Sequence, residues 1–559
     1  MSSNPLIKYL IKIKYLNPAL LDDKIRINQI MRKLLAISTS LIIIIFCSSC
    51  DNDFDFEISS GNLSFSKDTV YLDTVFTNIG SSTYNLKVYN NSNDNILIPN
   101  INLGNGENSY YRLNVDGIYG SDSNAGKYFE NIELLANDSL YIFIETTVDI
   151  EDLSDQSTQF LYTDHIQFNS GENQQKVDLV TLVKDAVFIY PQRYLNSQTN
   201  EYIVETLSFD IDGDGANDET DIEGRFLNVD ELNFTSERPY VIYGYAAVPE
   251  NELLIINPGS RIHFHANSGL IVTNGASIKI NGEFSLDQEA LENEVIFEGD
   301  RLEPIFEDVP GQWGTIWLFD GSINNEINYT TIKNSSIGLY LSGDFQENQE
   351  KLLIKNSKIY NSSNFGILAK GSSIKAENIV INNSGQSSFA ATYGGKYSFT
   401  HSTITNYWNS GFRQFPALLL NNYLIDSEGN TLNNEVLEAY FNNCIIYGSQ
   451  NIELLVEQLD DSNLDYKFSN CLLKFSDINN SFNTAIYDFE NQEHFENLIL
   501  NEDPYFLDPY ENNMIIGINS AAINQGNQVY SSIVPFDLLN VDRTNNPDLG
   551  AYQHIIQDD

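Results

Sequence analysis

Five aspartates, Asp210, Asp212, Asp214, Asp218 and Asp221, fall within twelve residues in the order D-x-D-x-D-G-x-x-D-x-x-D. Carboxylates at this spacing can curl around one hard cation, with Gly215 allowing the sharp turn and Ala216 offering its carbonyl. Without a cation, five such charges would repel one another. Calcium is therefore the expected occupant, in a structural role that stiffens a joint between two domains. An acidic, glycine-containing turn without metal is the alternative.

A second cluster combines aromatic and basic residues in a chain poor in bases. It contains Tyr393, Lys396, Trp408 and Arg413. Flat rings beside a guanidinium suit stacking on sugar rings and pairing with carboxylates or sulfates. Trp313 and Trp317 add two rings an even number of residues apart, which would share a face if they lay in one strand. These six residues form the expected ligand face. The competing reading for the three tryptophans is packing in a core or at coil edges. His401 and the thiols Cys444 and Cys471 are read as packing groups of a repeat. The two cysteines share a register, so either a disulfide or two buried thiols is open.

No residues are assigned to catalysis. Glycoside hydrolysis needs two carboxylates facing each other across a bond. Proton abstraction beside a uronate carboxylate needs a placed base. Neither pattern stands out in the sequence. The expectation is a polysaccharide-binding or scaffold protein, with an extracellular lyase or glycosidase as the alternative.

The elements that must position these residues are strands. Residues 61–187 alternate apolar and polar side chains with period two, as in Val70–Phe76 and Leu140–Ile144, with turn-forming clusters between. This pattern predicts a β-sandwich. Residues 188–238 read as a linker holding the aspartate loop. From 239 to 559 short strands recur between Asn-Gly and Pro-Gly corners, which predicts a solenoid. Its repeat is φ-x-N-x-x-φ, seen at Ile354/Asn356/Ile359, Ala376/Asn378/Ile381, Phe399/His401/Ile404, Phe441/Asn443/Ile446 and Phe468/Asn470/Leu473, with a weaker copy at Ile327/Tyr329/Ile332. One step of 42 residues, between His401 and Asn443, implies either a coil with a long loop or two coils, one degenerate. Asparagines stacked at one corner would bond from coil to coil.

At the N-terminus, Arg32 and Lys33 precede an apolar run from Leu34 to Phe46 and the small-residue cluster Cys47-Ser48-Ser49-Cys50. This pattern marks a secretory signal. Met31 is the expected initiator, residues 1–30 an upstream artefact of start assignment, 31–49 the signal peptide and 50–60 an acidic tether.

Several stretches resemble known families. Cys50 after small residues resembles a lipobox, which implies a lipid anchor in the outer membrane. The acids at 51–57 resemble an export signal and imply the outer face. The strands of 61–187 resemble immunoglobulin-like domains of the ASPM–SPD-2–Hydin type. The aspartate loop resembles those of dockerins and thrombospondin type 3 repeats. Residues 240–555 resemble right-handed parallel β-helices of the pectin-lyase-like superfamily. There Asp503-Pro504-Tyr505-Phe506 through Asp548-Leu549-Gly550-Ala551-Tyr552 implies a last coil and an end cap. The implied fold class is all-β: an immunoglobulin-like sandwich followed by a right-handed parallel β-helix.

Charge narrows the partners. The chain has 30 basic and 77 acidic residues, a formal net charge of −47. Such a surface repels phosphate backbones, so a nucleic-acid partner is not expected. Membrane attachment is expected through the lipid on Cys50, with polysaccharide as a further partner.

Overall fold

The computed structural model describes residues 55–120, 126–152, 159–169, 174–198, 200–211, 215–343, 350–425, 429–433, 436–459 and 463–554. Cys50, Asp212 and Asp214 lie outside the described residues, as do segments 1–30 and 31–49. Among the described residues the structure is almost wholly strand and turn, with a single short α-helix, Gln528–Ile533. No helix among them is long and apolar enough to cross a membrane.

The N-terminal strands form two sheets. One contains Ile96–Leu103, Tyr128–Leu134, Gln159–Asn169 and Gln175–Lys184, and the other Tyr84–Tyr89, Tyr111–Val115 and Ser139–Thr146. The period-two pattern is realised directly. In Ser139–Thr146, Leu140, Ile142 and Ile144 are buried while Tyr141 and Phe143 face solvent. The rings of Phe65 and Phe168, from different sheets, lie 4.8 Å apart in the shared core.

The rest of the chain winds as a parallel β solenoid with three strand rows per coil. Row one is an 11-stranded sheet that includes Tyr240–Ile242, Arg261–Phe264, Val295–Gly299, Thr330–Lys333 and Lys358–Ser362. Rows two and three make up an 18-stranded sheet, because strands such as Phe365–Glu377 and Phe389–Thr400 run through both. Parallel register places like residues above like. Ile256, Ile280, Ile327, Ile354, Ala376, Phe399, Phe441, Phe468 and Phe495 form one unbroken interior column. Its aromatic end is stacked, with Phe441 and Phe468 4.8 Å apart and within 7° of parallel. Every residue of the column is buried, so removal of one ring leaves a cavity rather than an exposed edge.

The φ-x-N-x-x-φ repeat is the corner between rows three and one. Asn356, Asn378, His401, Asn443 and Asn470 all have positive φ, between 47° and 60°. Asparagine tolerates this left-handed conformation far better than most residues. The expected ladder forms, with the Asn378 amide donating to Asn356 at 2.8 Å and that of Asn356 to Asn328 at 3.0 Å. A second ladder, absent from the sequence reading, links Asn383, Asn361 and Asn334 at another corner. The 42-residue step is one coil. Phe389–Thr400 pairs directly with Val436–Asn442, and a hairpin of Tyr423–Ile425 and Thr431–Asn433 fills the extra length.

Two expectations need correction. Residues 188–238 are more than a linker, because they supply the first coil: Val187–Ile189 pairs with Tyr240–Ile242, the end of Asp218–Phe226 with Tyr245–Val248, and Asn233–Phe234 with Leu253–Ile256. Two antiparallel hairpins inserted in this coil disguise its period. The C-terminal segment is also not an end cap. From about residue 503 it covers the outer face of row one, where Met514, Leu538, Ala551 and Tyr552 pack on Val380, and Ile516, Ala522 and Leu549 pack on Ile445 and Leu472. The apolar end is closed instead by the loop holding Phe482, Ile486, Tyr487 and Phe489. The Tyr487 hydroxyl seals that loop by exchanging hydrogen bonds with the Val456 backbone at 2.9 and 3.0 Å.

Candidate functional site

The expected ligand face does not assemble. Trp313 is a core residue, 1% exposed, stacked on Phe264 at 4.3 Å and donating its indole N–H to the Lys333 carbonyl at 2.9 Å. It precedes the strand Ile316–Leu318, so the even spacing to Trp317 does not place both rings on one face. Arg413 is also withdrawn from solvent. Its guanidinium makes two 2.7 Å contacts to the Glu453 carboxylate, with side-chain exposures of 3% and 0%. Burial pushes the Glu453 carboxyl above its ordinary value against the pull of Arg413.

The other four residues stay nearer the surface but on different parts of the coil. Trp317 is half-buried on row two, stacked on Tyr340 of the next coil at 5.2 Å, with its N–H given to Ser342. Lys396 stands on row three and pairs with Glu438 at 3.6 Å. Tyr393 lies at the bend between rows with φ 59°, and Trp408 lies in the loop after Thr403–Asn406; both are partly buried. Row three also carries Lys279–Glu326, Lys355–Glu377 and Lys467–Glu496 pairs across coils. The exposed Lys279–Glu326 and Lys467–Glu496 pairs add little stability, whereas Glu377 is buried beside Lys355. These pairs do engage lysines that a stripe for anionic polymers would need.

The aspartate loop is the tip of a hairpin between Thr206–Phe209 and Asp218–Phe226. Asp210 accepts the Gly215 N–H at 2.9 Å, and Asp218 accepts that of Ile211 at 3.0 Å, so the two ends of the loop are drawn together. Asp221 does not join them. It lies further along the outgoing strand, where it lines a cleft beside Ile222 and Glu223. A helix would have returned it to the same side, and here a strand leaves the loop.

The site that sequence reasoning missed is a cleft of about 1180 Å³ at the corner between rows one and two of the first coils. Its centre is a vertical stack. Tyr243, His265 and Asp300 each follow directly on a row-one strand, ending at Ile242, Phe264 and Gly299, in three successive coils. The His265 ring stacks on Tyr243 at 4.4 Å, and its Nδ1 lies 2.8 Å from Asp300 Oδ2. Asp300 is nearly buried, while His265 is 47% exposed and lines the cleft. In the neutral tautomer whose Nδ1–H donates to Asp300, Nε2 is the ring's acceptor. Burial and Asp300 together push the Tyr243 hydroxyl up to about 12, so it remains a protonated donor. Tyr190, Tyr245, Arg193, Asp221, Glu223 and the amides Asn78 and Asn267 also line it.

Close backbone approach makes this corner possible. Gly244 has φ +65°, and a Cβ there would lie 2.8 Å from the Glu223 carbonyl. Only glycine adopts that conformation without strain at such a contact. It lets the Tyr243–Tyr245 turn sit directly beside the strand bearing Asp221 and Glu223. Chemically, the cleft offers flat rings for an apolar ring face, acceptors in His265 and the carboxylates, and one guanidinium.

No protein-family model matches the chain, and no curated protein matches it. Among solved structures, it is similar to a family 123 glycoside hydrolase from Clostridium perfringens, at 9% identity over 23% of this chain and 30% of that one, with a TM-score of 0.15. It is also similar to PapD-like domain 7 of human CEP192, at 10% identity over 24% of this chain and 95% of that one, TM-score 0.14. A third is the periplasmic chaperone SfaE, at 12% identity over 22% of this chain and 58% of that one, TM-score 0.14. The chain thus spans 30% of the length of the first of these structures. At such scores these likenesses carry no argument about activity.

Proposed function

We propose that this protein is a cell-surface lipoprotein whose β-helix binds polysaccharide, and that the Tyr243–His265 cleft is its binding site. The observation that carries the reading is the cleft itself: a large concavity with stacked aromatic walls and an imidazole oriented by a buried carboxylate. Ligand sites are typically formed pockets on which a few polar groups converge. The solenoid belongs with right-handed, pectin-lyase-like β-helices and the N-terminal sheets with immunoglobulin-like domains of the ASPM–SPD-2–Hydin type. Lipid on Cys50 anchors the chain in the outer membrane, facing outward. Calcium at Asp210, Asp212, Asp214 and Asp218 stiffens the hairpin of the first coil, without Asp221. Nucleic acid is not a partner, since the acidic surface repels it.

The test is a glycan array probed with the purified protein, wild type and Tyr243→Ala. The reading expects binding to at least one class of polysaccharide, weakened in the variant. Absence of binding to every glycan, with and without calcium, sinks it.

A second reading rests on the same imidazole. A carboxylate-held histidine beside a protonated tyrosine is also the arrangement of a general base and a general acid. Incubation with any glycan captured on the array distinguishes the two: shortened chains support an enzyme, and intact chains a binding protein.

A further inference from the structure

Resting on the cleft as a glycan site, we infer that its ligand is an amine-bearing saccharide rather than a uronate. Asp221 and Glu223 lie two residues apart on one strand, and both line the cleft. Against these two carboxylates the lining holds one permanent cation, Arg193. The fixed charges of the lining are therefore two carboxylates against one guanidinium, a balance that suits a ligand carrying an ammonium group.

The aromatic walls point the same way. Tyr243 and Tyr245 line the same cavity as the two carboxylates, a setting in which an ammonium can gain from both ring quadrupole and ion pairing. At longer range, a formal net charge of −47 concentrates cations near the surface and repels polyanions. A uronate polymer would meet Arg193 but would also meet two carboxylates in the same cavity.

The experiment is isothermal titration of the intact protein with three oligosaccharides of equal length: β-linked glucosamine, its N-acetylated counterpart, and a uronate. A pH that keeps the amines protonated is used throughout. The glucosamine oligomer is expected to bind at least about tenfold tighter than the other two. The double variant Asp221→Asn, Glu223→Gln is expected to erase that preference. Both side chains are exposed, so thermal melts should match wild type. Equal binding of amine and N-acetyl forms overturns the amine assignment and leaves the glycan reading standing. Tighter uronate binding overturns it in the same way. Binding of none of the three overturns this inference, and the glycan array then decides the broader reading separately.

Discussion

Arg413 and Glu453, 40 residues apart in sequence, meet through two 2.7 Å hydrogen bonds with both side chains out of water. The Glu453 oxygens also accept the backbone N–H groups of Ala417 and Gln450. The pair therefore closes the loop before Leu418–Asn421 onto the turn before Leu454–Glu457, inside two coils. Removing one partner strands a buried charge, which costs about 3–5 kcal/mol. Arg413→Met should lower the urea midpoint by a corresponding amount. The double variant Arg413→Met, Glu453→Gln removes the stranded charge and keeps an oxygen for the backbone N–H groups, so it should recover part of the loss. Glycan binding should not change once the protein is folded, because neither residue lines the cleft. A stable but binding-deficient Arg413→Met would return this arginine to the ligand site.

His401 ties stability to pH. It occupies the asparagine ladder with φ 49°, its Nδ1 3.3 Å from the Gly550 carbonyl and its Nε2 2.9 Å from Ser531 Oγ. Burial, with the nearby Arg543 guanidinium, holds its pKa well below the ordinary histidine value. The folded protein keeps His401 neutral while the unfolded chain takes up a proton as pH falls through about 6.5. Unfolding is thus favoured on the acid side of that value, at up to about 1.4 kcal/mol per pH unit, and the effect levels off below the folded pKa. His401→Asn tolerates the same left-handed backbone and should show a shallower loss of stability between neutral and mildly acidic pH. An unchanged slope would assign the acid sensitivity elsewhere, for which buried His263 is the next candidate.

Cys444 and Cys471 sit at one register of adjacent coils as free, buried thiols. Burial pushes the Cys471 thiol well up, so little thiolate is available to react. Iodoacetamide should leave both unmodified in the native protein and label both in denaturant without reductant. Failure to label under denaturing, non-reducing conditions would show that they are joined.

The solenoid was legible in the sequence where the backbone forces a residue type. Left-handed corners demand asparagine or something as tolerant, so Asn356, Asn378, Asn443 and Asn470 announce each coil, and the column from Ile354 to Phe468 follows in register. What was not legible depends on stacking. Tyr243, His265 and Asp300 share no local motif, and they meet only because each is the first residue after a row-one strand. The first coil was hidden by its inserted hairpins. Trp313 takes the packing reading, because even spacing implies a shared face only within a single strand. The fate of Arg413 was set by an acid in the neighbouring coil, which no local pattern reveals.

The central claim, that the cleft stacked from Tyr243, His265 and Asp300 binds glycan, is tested most directly by measuring affinity for one captured glycan in three variants. Tyr243→Ala and His265→Ala should each weaken binding at least about tenfold, the loss of roughly 1.4 kcal/mol that one ring contact or hydrogen bond supplies. Trp317→Ala, on the outer face of row two, should bind as wild type. The opposite result, full affinity in both cleft variants with loss in Trp317→Ala, would contradict the claim and move the binding site to the outer face.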